Sequence, residues 1–325
     1  MTKLSHRHLP FIFLGIAGLA VGAQTPAPRP IKVLILYDME GISEATSAAH
    51  PRFGTEEYKQ ARVSLTADVN AAVAGLKAAG VNDIVVVDGH GSGNMSSPDI
   101  LEDRLMAPAR MISRDAPFDI YMDSYDRSFD AIVAIAMHAG AGNKVGFLSH
   151  TYSGRGIGYT VNGEPFNETM IMALGSGRFN IPMVAVSGDD ELEKEIRRNL
   201  PWAGYATVKH AVDRSKAEPL ARPEIDRRIT EAVATGIRKL GEARLFQKPG
   251  PYRFAVTFGS EDAARDAAQR AGSEFVCEGA TVRVDSDDFV EGYRKSIWLF
   301  GSGVTPAPTS PPALTPLRFW GARNP

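Results

Sequence analysis

The sequence predicts an α/β layer fold: a mostly parallel central sheet flanked by helices, with a smaller α+β lobe at the C-terminal end. Three observations predict it. Short apolar runs of strand length alternate with helical patterns along most of the chain. Those runs are nearly continuous in apolar residues, as strands buried on both faces are. Residues 250–300 then change style, with two strand-like and two helix-like segments in quick succession.

Ile31–Tyr37 (IKVLILY) reads as the first strand. Thr55 is placed to cap a helix, with Glu56 and Glu57 favourable in its positive first turn. Tyr58, Leu65, Val69, Ala72 and Leu76 form one apolar stripe, which Gly80 ends. Ile84–Val87, Ala131–Ala136 and Met183–Val186 are the next buried strands. Residues 159–164 resemble a strand running into a turn, and helical patterns occupy roughly 166–177, 189–199 and 223–241. In the closing lobe, expected from about 190 to 302, Phe254–Phe258 and Thr281–Val284 are strands. Helices start near Glu261 and after the acidic run 285–288, which is read as a helix start or a solvated face.

The 325 residues allow one large domain or two modest ones, and 44% hydrophobic residues exclude wholesale disorder. A net charge of −2 without any long basic block excludes an electrostatic footprint for nucleic acid. One cysteine, Cys277, excludes an internal disulfide framework and any multi-cysteine zinc or iron–sulfur site. It is read as a small core residue.

Residues 1–23 read as a signal peptide. Lys3, His6, Arg7 and His8 precede an apolar run, Phe11 to Ala20, which Val21-Gly22-Ala23 closes as a small-residue cleavage pattern. The run is short for a membrane span. Cleavage would leave 34 basic and 38 acidic residues, a net charge of −4. The expectation is a periplasmic or secreted protein without stable membrane association. Residues 24–30 read as a linker, 31–302 as the folded body, and 303–325, with six prolines, as a flexible tail.

Open parallel sheets bind ligands beyond the carboxyl ends of their strands. There the sequence places Asp38-Met39-Glu40-Gly41, Asp88-Gly89-His90-Gly91 and Met137-His138-Ala139-Gly140. His150 follows in a loop. Any one of these histidines alone is more often a hydrogen-bonded structural residue. Jointly, Asp, Glu and His without cysteine suit zinc, manganese or iron in a hydrolytic site. Asp38 and Glu40 alternate in an extended segment, so both can face one way. Two metals could then clamp a substrate oxygen and sharpen a water nucleophile. Glu168 falls in the first turn of a helix, where it either joins the site or complements the helix's positive end.

Six segments follow one another in a familiar order: Asp-Met-Glu-Gly-Ile-Ser (38–43), Asp-Gly-His-Gly (88–91), Met-His-Ala (137–139), Leu-Ser-His (148–150), Val-Asn-Gly-Glu-Pro-Phe-Asn-Glu (161–168) and Val-Ser-Gly-Asp-Asp (186–190). The chain resembles the zinc-dependent D-aminopeptidases associated with dipeptide-transport operons, over about residues 31–300. Val208-Lys209 and Arg214-Ser215 also look like family positions. The resemblance implies that Asp38, Glu40, His90, His138 and Glu168 hold two zinc ions per chain, with Asp38 or Glu40 bridging them. It implies that His150 is a non-ligand residue acting in catalysis; whether as acid or base, oxyanion donor or nucleophile, the sequence does not choose. It further implies release of an N-terminal D-residue, typically D-alanine, from short peptides by metal-activated water, in a decameric ring assembly. The chain departs from the pattern at Gly89, where serine is usual, and in its export signal.

Two other readings fit less of the sequence. Asp38-Met39-Glu40 and Gly188-Asp189-Asp190 loosely imitate the first and last motifs of haloacid-dehalogenase-type magnesium phosphatases, but that leaves His90 and His138 idle. A non-catalytic exported protein that binds metal or peptide would give His150 no task.

Overall fold

The computed structural model of the chain describes residues 29–90, 98–112 and 121–300. The signal peptide (1–23), nearly all of the linker, the tail (303–325) and Gly91 lie outside the described residues.

The elements in chain order are β1 (Lys32–Tyr37), α1 (Glu56–Ala78), β2 (Asp83–Asp88), β3 (Arg110–Met111), β4 (Ala131–Met137), β5 (Gly156–Val161), β6 (Glu164–Pro165), α2 (Glu168–Gly177), β7 (Met183–Asp189) and α3 (Asp190–Asn199). They continue with β8 (Gly204–Asp213), β9 (Lys216–Pro219), α4 (Arg222–Arg238), β10 (Tyr252–Phe258), α5 (Glu261–Ala271), β11 (Val276–Glu278), β12 (Thr281–Ser286) and α6 (Phe289–Trp298). The main sheet has the order β3-β2-β1-β4-β7-β8-β9 and is parallel except for the terminal β8–β9 hairpin. The order reverses between β1 and β4, so the crevice expected at such a switch point opens beyond Tyr37 and Met137.

The period of two along β1 divides the core. Val33, Ile35 and Tyr37 pack with Leu65, Val69 and Leu76 of α1 and Ile225, Ile229 and Val233 of α4. Leu34 and Leu36 belong to the opposite core, with Met170 and Ile171 of α2 and Phe254 and Tyr293 of the second lobe. Burying each such aliphatic side chain contributes about 1.5–3 kcal/mol. Thr55 caps α1 by accepting from the Tyr58 N–H, as its position in the sequence predicts. Asp288 likewise caps α6, while Asp285 and Ser286 close β12, so only the end of the acidic run is a helix start.

The second lobe is assembled differently from the expectation. Its sheet has the order β11-β12-β10-β5-β6, so it draws β5 and β6 from the middle of the chain. Residues 204–219, placed in the closing lobe by sequence, instead complete the main sheet. The cause is visible in β5: its buried residues Gly156, Tyr159 and Val161 give it one dry face, which packs toward α6, while β10 pairs along its edge. Cys277 is half-buried on the edge strand β11 and packs against this lobe's core. Among the described residues no helix is long and apolar enough to cross a membrane.

Candidate metal centre

Four elements deliver five of the six side chains singled out above, and a loop delivers the sixth. Asp38 and Glu40 follow β1, His90 follows β2, His138 follows β4, and Glu168 opens α2. His150 lies in the loop between β4 and β5. The loop after β1 is locked to the end of β4 by two hydrogen bonds, Asp38 N–H to the Ile135 carbonyl (2.9 Å) and Gly41 N–H to the Ala136 carbonyl (2.8 Å). This approach is why position 41 is glycine: a Cβ there would lie 1.9 Å from the Met137 oxygen. Gly89 is similarly confined, since a Cβ would meet Leu36 Cδ2 at 2.4 Å and the Tyr37 oxygen at 2.7 Å.

The structure brings all six together. His138 Nε2 lies 3.2 Å from Asp38 Oδ2 and 3.6 Å from Glu168 Oε1. His90 Nε2 lies 3.5 Å from Glu40 Oε1, and His150 Nε2 3.9 Å from Glu168 Oε1. The His138 and His150 rings stack at 4.1 Å. Each histidine commits its other nitrogen to an acceptor. Nδ1–H of His138 donates to the Ala139 carbonyl (3.0 Å), that of His150 to the Leu148 carbonyl (2.8 Å), and that of His90 to Asp99 Oδ2 (3.1 Å). A backbone carbonyl only accepts, so Nε2 of His138 and of His150 carries a lone pair into the site. This is how histidines are oriented for a metal or a proton.

Burial and neighbouring charge set the titration. Burial, reinforced by Glu40, pushes Asp38 up to about 7. Burial acts in the same direction on Glu40 and Glu168, but His90 outweighs it at Glu40, which lies well below the usual range. His138 outweighs it at Glu168, which falls to about 2. Burial disfavours charge on His90 and His138, yet Glu40 and Glu168 hold both well above the ordinary histidine value. His150 is lowered by burial and by His138 beside it.

Two overlapping groups of three side chains, Asp38–Glu40–His138 and His138–His150–Glu168, can each present ligand atoms within 4.8 Å of one another. Asp38 Oδ2, Glu40 Oε2 and His138 Nε2 are buried and make no hydrogen bond. Buried acceptors are rarely left so, because each forfeits its hydration. A divalent cation is a partner that suits all three, so the donor set fits zinc.

Several residues at the site carried no readable signal in the sequence. Asp99, fully buried, accepts from both His90 and the Tyr58 hydroxyl. The Tyr121 hydroxyl donates to Glu168 Oε2, and the Tyr152 N–H donates to Glu168 Oε1 at 2.6 Å. Lys209, whose role its family-like position does not disclose, is fully buried, and burial pushes its ammonium down to about 7. Asp189 and Asp190 have structural tasks. Asp189 caps α3 and accepts from the Phe147 N–H, while Asp190 holds His210 and the Ala211 N–H. The phosphatase reading thereby loses its second acid pair.

Fold and site together define an α/β metallohydrolase, with acids and imidazoles converging at the switch point of a doubly wound sheet. The family model described as D-aminopeptidase, Peptidase M55, matches residues 31–296, and the chain belongs to that family. A D-aminopeptidase of Bacillus subtilis (strain 168) is 25% identical over 265 residues, which cover 81% of this chain and 94% of that one. A solved structure described as the Zn-dependent D-aminopeptidase DppA from Bacillus subtilis, a self-compartmentalizing protease, shares the fold. Its TM-score is 0.75 at 23% identity, covering 83% of this chain and 97% of that one.

Proposed function

We propose that the chain is an exported, dinuclear-zinc aminopeptidase that removes the N-terminal D-residue of short peptides. One observation carries the reading: the carboxylate–histidine pairs Glu40–His90 and His138–Glu168 converge, with Asp38 beside His138 and three acceptors unsatisfied. Glu40, His90, His138 and Glu168 would hold the zinc together with Asp38, which lies beside His138 and feels the charge of Glu40.

Bound zinc supplies Lewis-acid polarisation of the scissile carbonyl and lowers the pKa of a water ligand to about 7. The chain's own residues do the rest. His150, with its Nδ1–H held by Leu148, offers Nε2 to take a proton and return it to the leaving amine. Tyr121 and Tyr152 fix the two oxygens of Glu168, so this carboxylate keeps one orientation. A carboxylate of the cluster would receive the substrate's free amine, which limits cleavage to the N-terminus. Copies of the chain would enclose these sites in a homo-oligomer, a reading supported by the self-compartmentalizing description of the solved neighbour.

The test is elemental analysis of residues 24–325 alongside assays with D-Ala and L-Ala p-nitroanilides. About two zinc per chain, as a two-metal site needs, with D-selective release is the expected result. Zinc without turnover would leave the centre and remove the peptidase assignment. Absence of any transition metal would overturn the ligand set.

A further inference from the structure

Lys209 sits in β8 between Val208 and His210 and is fully buried. Burying an ammonium is costly unless every hydrogen finds an acceptor. Here the three acceptors are backbone carbonyls: Glu40 at 2.8 Å, Ile42 at 2.9 Å and Ala45 at 3.3 Å. Three hydrogens meeting three carbonyls is a set that the charged form satisfies in full. The same nitrogen lies 4.2 Å above the Phe147 ring, a cation–π distance. Phe147 is three residues before His150, and its N–H is held by Asp189 at 2.8 Å.

Lys209 thus touches two loops that bear different parts of the site. It closes the segment carrying Asp38 and Glu40, and it covers the segment carrying His150. It does so from β8, which the strands β4 and β7 separate from β1 in the sheet. The far side of the first loop is secured independently. Asp68 accepts from the Ser43 N–H and hydroxyl, and Arg222 pairs with Asp68 at 2.7 Å. An apolar side chain at 209 would fill the space and leave the three carbonyls of the Glu40 loop unanswered.

We propose that Lys209 is a positioning residue of the metal centre, an internal cation that fixes the Glu40 loop against the His150 loop. The inference rests on Glu40 being a zinc ligand. Its test is the zinc dissociation constant of the Lys209→Met enzyme, by chelator competition, together with kcat and KM at saturating zinc and the metal-free melting temperature. Zinc affinity should fall about 10- to 100-fold, the usual effect of losing a group that orients a metal ligand. At saturating zinc, kcat should fall with KM unchanged, a split that a general loss of stability does not produce. Unchanged zinc affinity in folded Lys209→Met overturns the proposal. Should Lys209→Met fail to fold, Phe147→Leu decides, because it removes only the ring above the ammonium. A measurable loss of zinc affinity in Phe147→Leu supports the proposal, and unchanged affinity overturns it. If the unaltered chain binds no zinc, the metal-centre reading itself has failed, and with it this inference.

Discussion

His138 and His150 lie ring on ring, 6° from parallel, and are tuned in opposite directions. Glu168 and Asp38 hold His138 up, while burial and His138 itself hold His150 down. A ring with a free Nε2 and a lowered pKa is a proton acceptor at neutral pH. His150→Ala should therefore cut turnover about 10²- to 10⁴-fold, the range for a lost acid–base group, with zinc content unchanged. Loss of zinc in that variant would make His150 a ligand instead. The carboxylates give a second expectation. Asp38 is raised from 3.8 to about 7, so between those values the folded metal-free chain holds a proton that the unfolded chain has lost. Its stability falls as pH rises through that window. The raised His138 adds stability that is present below about pH 6.5, its unfolded value, and is lost as pH rises further. Glu168 and Glu40, both depressed, act in more acid conditions, where stability is lost as pH falls. The lowered His150 opposes Asp38 below about pH 6.5, and the lowered Lys209 opposes the fall above about pH 7. The raised His90 joins His138, so melting of the metal-free chain should fall from about pH 6.5 to about pH 8, and zinc should raise it more at the higher pH, since it competes with those protons. Equal stabilisation at both pH values would contradict this. Five of the six candidate residues were legible because each stands just past a strand end or at a helix start, and His150 because its Leu-Ser-His segment takes its place in the order of family motifs. Asp99 and Tyr121 were not, because an acid or a tyrosine in a loop looks the same whether or not it folds back onto a histidine or a glutamate.

The elements were legible where burial is two-sided. β1, β2, β4 and β7 are almost wholly buried, so their sequences are unbroken apolar runs. The β8–β9 hairpin escaped notice because Lys209 and His210 interrupt its apolar residues, one bound inward to carbonyls and the other outward to Asp190. The same hairpin steadies the His150 loop. The Leu148 N–H donates to the Arg214 carbonyl at 2.9 Å, and the Arg214 guanidinium donates to the Ser149 carbonyl at 2.8 Å. The loop after β1 has less tolerance still. Gly41→Ala would force its Cβ against the backbone of Ala136 and Met137, at a cost of about 1–3 kcal/mol or more. The expected result is a lowered melting temperature together with substoichiometric zinc. A variant with both unchanged would show that the loop moves freely from β4.

At the scale of the whole molecule, the layered α/β architecture was readable, but the boundary between its two sheets was not. Periodicity reports which face of a strand is dry and says nothing of which later strand will cover it. Two expectations belong here. Sedimentation of the purified chain should give a homo-oligomer, and a monomer at assay concentration would remove the enclosed-chamber reading. Protein recovered from the extracytoplasmic fraction should begin at residue 24, and an intact Met1 terminus would remove the cleaved-leader reading. The borrowing of β5 by the C-terminal sheet has a consequence for how the enzyme is made. Val161 pairs with Phe254, and seven residues beyond Val161 the chain enters α2 with Glu168 at its head. As the polypeptide grows from its N-terminus, Asp38, Glu40, His90 and His138 can settle on their own sheet early. The scaffold that aims Glu168 waits for β10, synthesised much later. Between the synthesis of His138 and that of β10, a nascent chain would therefore hold four of its five candidate ligands on one sheet while the support of the fifth is still missing.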